Sequence, residues 1–148
     1  MPQRSVVAVG ASLRVVSPAL AGCGTRGDDT EGTDTGSTEN KVAKIGVIAP
    51  LSGDLAALGK GIQNSVDLAI KQANEAKTIP GWTLELAAED DQATPDVGKN
   101  AATKLVADTD VVGVVGTLNS SVAQSVQPVL AAANVVQVSP ANTNPALT

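Results

Sequence analysis

From Val42 onward the chain alternates between short β-rich apolar runs and longer amphipathic stretches. Val42, Ile45, Val47 and Ile48 form a first strand that stops at Pro50. After a loop at Leu51-Ser52-Gly53-Asp54, residues 60 to 77 place Ile62, Val66, Ala69, Ile70 and Ala73 at helical spacing, with Gln63, Asp67, Lys71 and Glu75 on other faces. Pro80-Gly81 marks a turn, and Thr83 to Ala88 reads as a second strand ending in Glu89-Asp90-Asp91. Thr94-Pro95 supplies an N-cap and a first-turn proline for a helix reaching about Asp108, with Val97, Ala101, Leu105 and Val106 inward. Val111 to Val115 is a continuous apolar strand of the kind covered on both faces. A third helix is predicted from Ser120 to Ala133 with Val122, Val126, Val129 and Leu130 on one side, and Val135 to Val138 closes the series as a fourth strand.

Strands alternating with helices through short connections predict an α/β fold, a parallel sheet with helices on both faces. Functional groups in such a sheet collect beyond the carboxyl ends of the strands. The segments to inspect are therefore 50–61, 89–94, 116–121 and 139–148.

The first forty residues follow a different pattern. Residues 1–22 pass from a basic start at Arg4 through Val6 to Val9 and Leu13 to Val16, with Arg14 interrupting the apolar stretch, and reach Leu20-Ala21-Gly22-Cys23. That order resembles a bacterial lipoprotein signal, in which a Leu and two small residues precede a Cys whose thiol receives a diacylglycerol. The stretch is too short and too interrupted for a spanning helix. Residues 24 to 40 contain no large apolar side chain, so nothing there offsets the entropy of ordering. The expected organisation is a signal peptide over 1–22, the lipidated Cys23 with a flexible acidic linker over 23–41, and a folded unit over 42–148.

Charge and composition narrow the function. The net charge of −5 is uneven: residues 24 to 40 hold five acids against Arg26, and residues 41 to 148 hold ten acids and seven lysines. A mildly acidic body without a basic cluster offers nothing to a phosphate backbone, so nucleic acid is set aside. The chain has no His, and its one Cys is Cys23. Intrachain disulfides and Cys/His zinc sites are therefore excluded, and no metal or cofactor is expected.

Four loops remain as candidates. Gly53 to Gly61 invites comparison with a phosphate-binding loop but has five residues where four are needed before Gly59-Lys60, and Gly61 where Ser or Thr must stand. Gly116-Thr117-Leu118-Asn119-Ser120-Ser121 lies where a buried strand gives way to a helix; Asn119 or Ser120 caps the helix, and the free N–H groups with a Ser hydroxyl suit a carboxylate. A Ser nucleophile has no His to serve as its base. The loop 139–148 is rich in turn formers, and Thr143 could bring a second hydroxyl to the crevice beside Ser120. Glu89-Asp90-Asp91 reads as a solvated strand end, because neighbours on a strand point to opposite faces. Trp82 reads as a cover over the sheet edge.

Taken as an ordered series, Lys44 to Gly53, Gly59 and Gly61, Glu89-Asp90-Asp91, Gly116 to Ser121 and Ser139-Pro140-Ala141 resembles the type I periplasmic leucine/isoleucine/valine-binding proteins over residues 42 to 148. The resemblance implies the N-terminal lobe of a two-lobed solute-binding lipoprotein, with the second lobe absent from residues 1–148. It implies no enzyme activity, an extracytoplasmic lipid-anchored location, a branched-chain amino acid or related solute such as an amide, urea or short peptide, and an ABC importer permease as partner. By motif, Ser120 would bind the ligand α-carboxylate and Leu118 would lie against the ligand. Ala141, through its carbonyl, and Thr143, through its hydroxyl, would bind the α-ammonium. Leu58 stands where many relatives carry an aromatic, which alters one wall of the implied side-chain pocket. The rival readings are a tethered sensor ectodomain of the same fold and a single-domain flavodoxin-like enzyme, which would need a catalytic or cofactor group.

Overall fold

The computed structural model describes residues 40–147. Cys23 and the segments flanking it lie outside these residues. The elements, in order, are β1 (Lys41–Ala49), α1 (Ala56–Glu75), β2 (Trp82–Asp90), α2 (Pro95–Val106), β3 (Val111–Gly116), α3 (Ser120–Ala132), β4 (Val136–Val138) and a single 3₁₀ turn, Pro145–Leu147. The four strands are parallel and ordered β2-β1-β3-β4. That is the sheet the alternation predicted.

Side-chain alternation divides the sheet into two faces. Ile48, Val111 and Val114 meet Ala101, Ala102 and Leu105 of α2 and Val122, Val126 and Leu130 of α3 to form the buried core. On the opposite face α1 packs over β1 and β2. Helices thus cover both faces, two on one side and one on the other.

Close packing of α2 on α3 depends on Gly98, where a Cβ would fall 2.3 Å from Val122 Cγ1. The register of β1 on β3 shifts between Lys44 and Ile45, so that Lys44 pairs with Val111 and Ile45 with Gly113. This bulge lets Val111 and Val114, three residues apart, point into the same core.

The first helix begins at Ala56, a turn earlier than residue 60. Leu55 occupies the N-cap position without a side-chain hydrogen bond, and the turn is closed by backbone bonds from Ala56 N–H to Gly53 C=O and from Gly59 N–H to Leu55 C=O. A start without Ser, Thr, Asp or Asn, followed by Gly59 and Gly61, gives no helix signal in sequence. The supposed phosphate loop is consequently mostly helix. Differences at the other element ends are of at most two residues.

The outer edge of β2 is blocked by a contact the pattern did not reveal. The Asn74 amide donates to Leu84 C=O at 2.8 Å and accepts from Leu84 N–H at 2.9 Å. Trp82 opens the same edge strand with Lys41 Nζ 5.4 Å above its ring, in keeping with a cover over the edge.

Candidate functional site

At the carboxyl edge of the sheet the four strands release their loops side by side. The β1 loop is held to the β2 loop by Asp90, which accepts from Leu51 N–H at 2.8 Å, from Gln92 N–H at 2.9 Å and from the Ser52 hydroxyl. Burial pushes the Asp90 carboxyl upward, yet the Ser52 hydroxyl and the Gln92, Leu51 and Ser52 N–H groups together hold it below the ordinary range. One acid thereby fixes two loops.

Its neighbours diverge from it. Glu89 pairs with Lys104 at 2.6 Å. Asp91 turns inward and is fully buried, so the reading of all three acids as a solvated strand end does not hold for this residue. Asp91 Oδ1 accepts from Ala93 N–H at 2.8 Å, while Oδ2 has no partner among the described residues. Burial raises the Asp91 pKa, the Ala93 N–H opposes that, and the nearby Asp90 charge adds to it. Three acids on consecutive residues thus serve three different contacts.

The β3 and β4 loops form the second half of the edge. Thr117 is buried and donates to Asn119 C=O at 2.8 Å, while the Gln137 amide donates to Gly116 C=O at 2.7 Å. The helix α3 begins without a side-chain cap: Asn119 sits at the N-cap position, but its Oδ1 is buried without a partner. Its carbonyl accepts from Ala123 N–H at 3.1 Å as the first helical bond. The expected Asn119 or Ser120 side-chain cap is therefore not formed. By helix geometry the N–H groups of Ser120, Ser121 and Val122 have no intrahelical acceptor.

The Ser120 hydroxyl is instead turned toward the loop after β4. Its Oγ accepts from Thr143 N–H at 3.2 Å and from Asn144 N–H at 3.4 Å. Asn142 anchors the same loop by donating from Nδ2 to Leu118 C=O at 3.2 Å, and the Ser139 hydroxyl accepts from Asn142 N–H at 2.9 Å. The structure therefore brings Leu118, Ser120, Ala141 and Thr143, four residues singled out from sequence, into two loops fastened to each other. Leu118 and Ser120 are half-buried, whereas Ala141 and Thr143 are exposed. Leu58 lies in the first turns of α1 and is 58% exposed.

Chemically this edge offers a positive helix end, hydroxyls and carbonyls. Because Ser120 Oγ already accepts two N–H groups, its own proton is left to be donated outward. A carboxylate is the group that would take both that proton and the free N–H groups of α3.

A parallel sheet with helices on both faces and polar loops fastened together at its carboxyl edge defines the class, an α/β lobe whose ligand-binding edge lies beyond the strand ends. A family model described as periplasmic binding protein matches residues 42–148, and the chain belongs to that family. A Leu/Ile/Val-binding protein of Rhizobium johnstonii is 40% identical over 104 residues, covering 70% of this chain and 28% of that one. Among solved structures, the branched-chain amino acid transporter substrate binding protein LivJ from Streptococcus pneumoniae, in complex with isoleucine, superposes with a TM-score of 0.68 at 31% identity. The match covers 72% of this chain and 31% of that one. An ABC transporter substrate-binding protein from Desulfitobacterium hafniense in complex with Leu gives a TM-score of 0.62 at 28% identity over the same shares. The chain spans less than a third of the length of each of these relatives.

Proposed function

We propose that this chain supplies one wall of an extracytoplasmic solute-binding site that delivers a branched-chain amino acid, or a related small polar solute, to an ABC importer. The observation that carries the reading is the joining of the uncapped α3 start to the β4 loop through Ser120. In this reading the Ser120 hydroxyl and the first N–H groups of α3 hold the α-carboxylate. The Ala141 carbonyl and the Thr143 hydroxyl meet the α-ammonium, and the Leu118 side chain lies against the ligand. The names of the relatives, which are binding proteins, support the solute class and capture without turnover. The relatives also support a permease partner and a place outside the cytoplasm, where a diacylglycerol on Cys23 would hold the lobe at the membrane and residues 24–40 would space it from the surface.

A site closed by one wall binds weakly, since small ligands gain affinity by being mostly buried. Ser120→Ala tests the assignment by calorimetric or NMR titration with leucine. Loss of one hydrogen bond to a charged group costs about 1.5–3 kcal/mol, so leucine affinity is expected to fall at least about tenfold. Unchanged affinity in a folded Ser120→Ala variant would remove Ser120 from the site.

A further inference from the structure

Asp91 is the one buried acid among the described residues. Its Oδ1 accepts from Ala93 N–H, while Oδ2 has no partner among the described residues. A Cβ placed on Gly98 would lie 3.6 Å from Asp91 Cβ and 2.3 Å from Val122 Cγ1. Asp91 and Val122, both without solvent exposure, therefore flank a glycine that has no side chain to part them. Val122 is the third residue of α3, and its N–H is one of the three left free at the helix start. The half-partnered carboxyl thus lies beside the first turn of the helix.

Nothing positive offsets this acid among the described residues. On its own strand Glu89 is paired with Lys104, and Asp90 is a second negative charge. On α2 the charged residues next to Gly98 in sequence, Asp96 and Lys99, are exposed. On β1 and its loop, residues 45–53 carry no charge, and from Val111 through α3 to Thr148 there is none at all. A charge on Asp91 therefore acts in apolar surroundings on the free N–H groups of α3, whose partial positive charge it offsets. Two like charges about a helix width apart, about 10 Å, at an effective dielectric of about 20, change an equilibrium constant about tenfold.

Resting on the reading of the α3 start as the carboxylate site, we propose that Asp91 sets the affinity of that site through its proton. With the proton in place, the helix keeps its positive end for the ligand carboxylate. Without it, the buried charge opposes the ligand across the first turn. Linkage makes the effect reciprocal, so a carboxylate that binds here draws a proton onto Asp91. Burial raises the Asp91 pKa, the Ala93 N–H opposes that and the Asp90 charge adds to it, which places the titration above the ordinary aspartate range. Asp90 itself stays ionised in that window, because the Ser52 hydroxyl and the N–H donors outweigh its burial.

The test is leucine titration of isotope-labelled full chain carrying Cys23→Ser at a series of pH values, with the Asp91 carboxyl followed through the shift of its side-chain carbon. Leucine affinity is expected to fall about tenfold as pH rises through the Asp91 titration, whereas Asp91→Asn keeps the low-pH affinity throughout. Bound leucine is expected to move the Asp91 titration to higher pH. Without ligand, the Ser121 and Val122 amide shifts are expected to follow the same titration in the parent and not in Asp91→Asn. The same pH dependence of leucine affinity in both proteins, or α3 amides that ignore the Asp91 titration, would overturn the proposal. No leucine binding at any pH would also end it, through failure of the carboxylate site itself, and α3 amides that still follow Asp91 identify that case.

Discussion

Asp91 shows how far a single residue's role depends on its neighbours in space. Its Cβ lies beside Gly98 of α2, with one carboxylate oxygen bonded to Ala93 N–H and the other unpartnered among the described residues. Burial places its folded pKa above its unfolded one, so the native state holds this proton more tightly. The resulting stability is complete below the ordinary aspartate range and is lost as pH rises through the elevated folded value. Asp91→Asn keeps the acceptor for Ala93 and cannot ionise. Relative to the wild type, it is expected to be more stable by about 1–3 kcal/mol at neutral pH, with the difference shrinking as pH approaches the aspartate range. Urea unfolding at several pH values measures this, and a difference independent of pH would contradict it.

Within the site, the residue types are legible because hydroxyls between a buried strand and a helix either cap the helix or face the crevice beyond the strand ends. Ser120 stands out on that ground and Thr143 as a hydroxyl in the turn-rich loop after β4, their ligand roles being implied only by the resemblance, and the two meet through the Thr143 N–H. What sequence could not show is that Ser120 Oγ is the acceptor of two backbone bonds, or that Asn119 leaves its helix uncapped. Both depend on a loop more than twenty residues away. The burial of Asp91 is likewise invisible in sequence, since it depends on packing beside Gly98 of α2 and not on its acidic neighbours.

At the scale of elements, the two glycines that hid the start of α1 have opposite meanings. A Cβ on Gly59 would lie 2.0 Å from Pro50 C=O, so the helix rests directly on the end of β1 there. A Cβ on Gly61 would meet nothing within 4 Å. Gly59→Ala is therefore expected to destabilise by about 2–3 kcal/mol, as overpacking against backbone does. Gly61→Ala is expected to stabilise by about 1 kcal/mol through helix propensity. Thermal melts of the two variants should move in opposite directions, and a shared direction would show that α1 does not sit on Pro50 as described. The strands are easier to read than this helix because their apolar runs are bounded by Pro50, Gly81 and Gly116. The Asn74 contact that finishes the β2 edge has no local pattern at all, because a helix residue supplies it to a strand backbone across the turn.

For the whole molecule, the lobe and its tether make separable claims. The family match rests on residues 42–148, while attachment rests on Leu20-Ala21-Gly22-Cys23. Cys23→Ser is expected to move the protein, expressed in a bacterium that lipidates its secreted proteins, from the membrane fraction to the soluble extracytoplasmic fraction. An unchanged membrane fraction would contradict lipidation at Cys23. The chain spans less than a third of its relatives, and what this lobe can be asked is where a ligand touches it.

That question has a direct answer in backbone amide shifts of isotope-labelled protein titrated with leucine and, separately, with leucinamide, which lacks the carboxylate. The account predicts leucine-dependent shifts concentrated at Ser120, Ser121, Val122 and Thr143, and the loss of the α3 shifts when leucinamide replaces leucine. Equal shifts from both ligands, or leucine-dependent shifts confined to another surface, would contradict a carboxylate site at the start of α3.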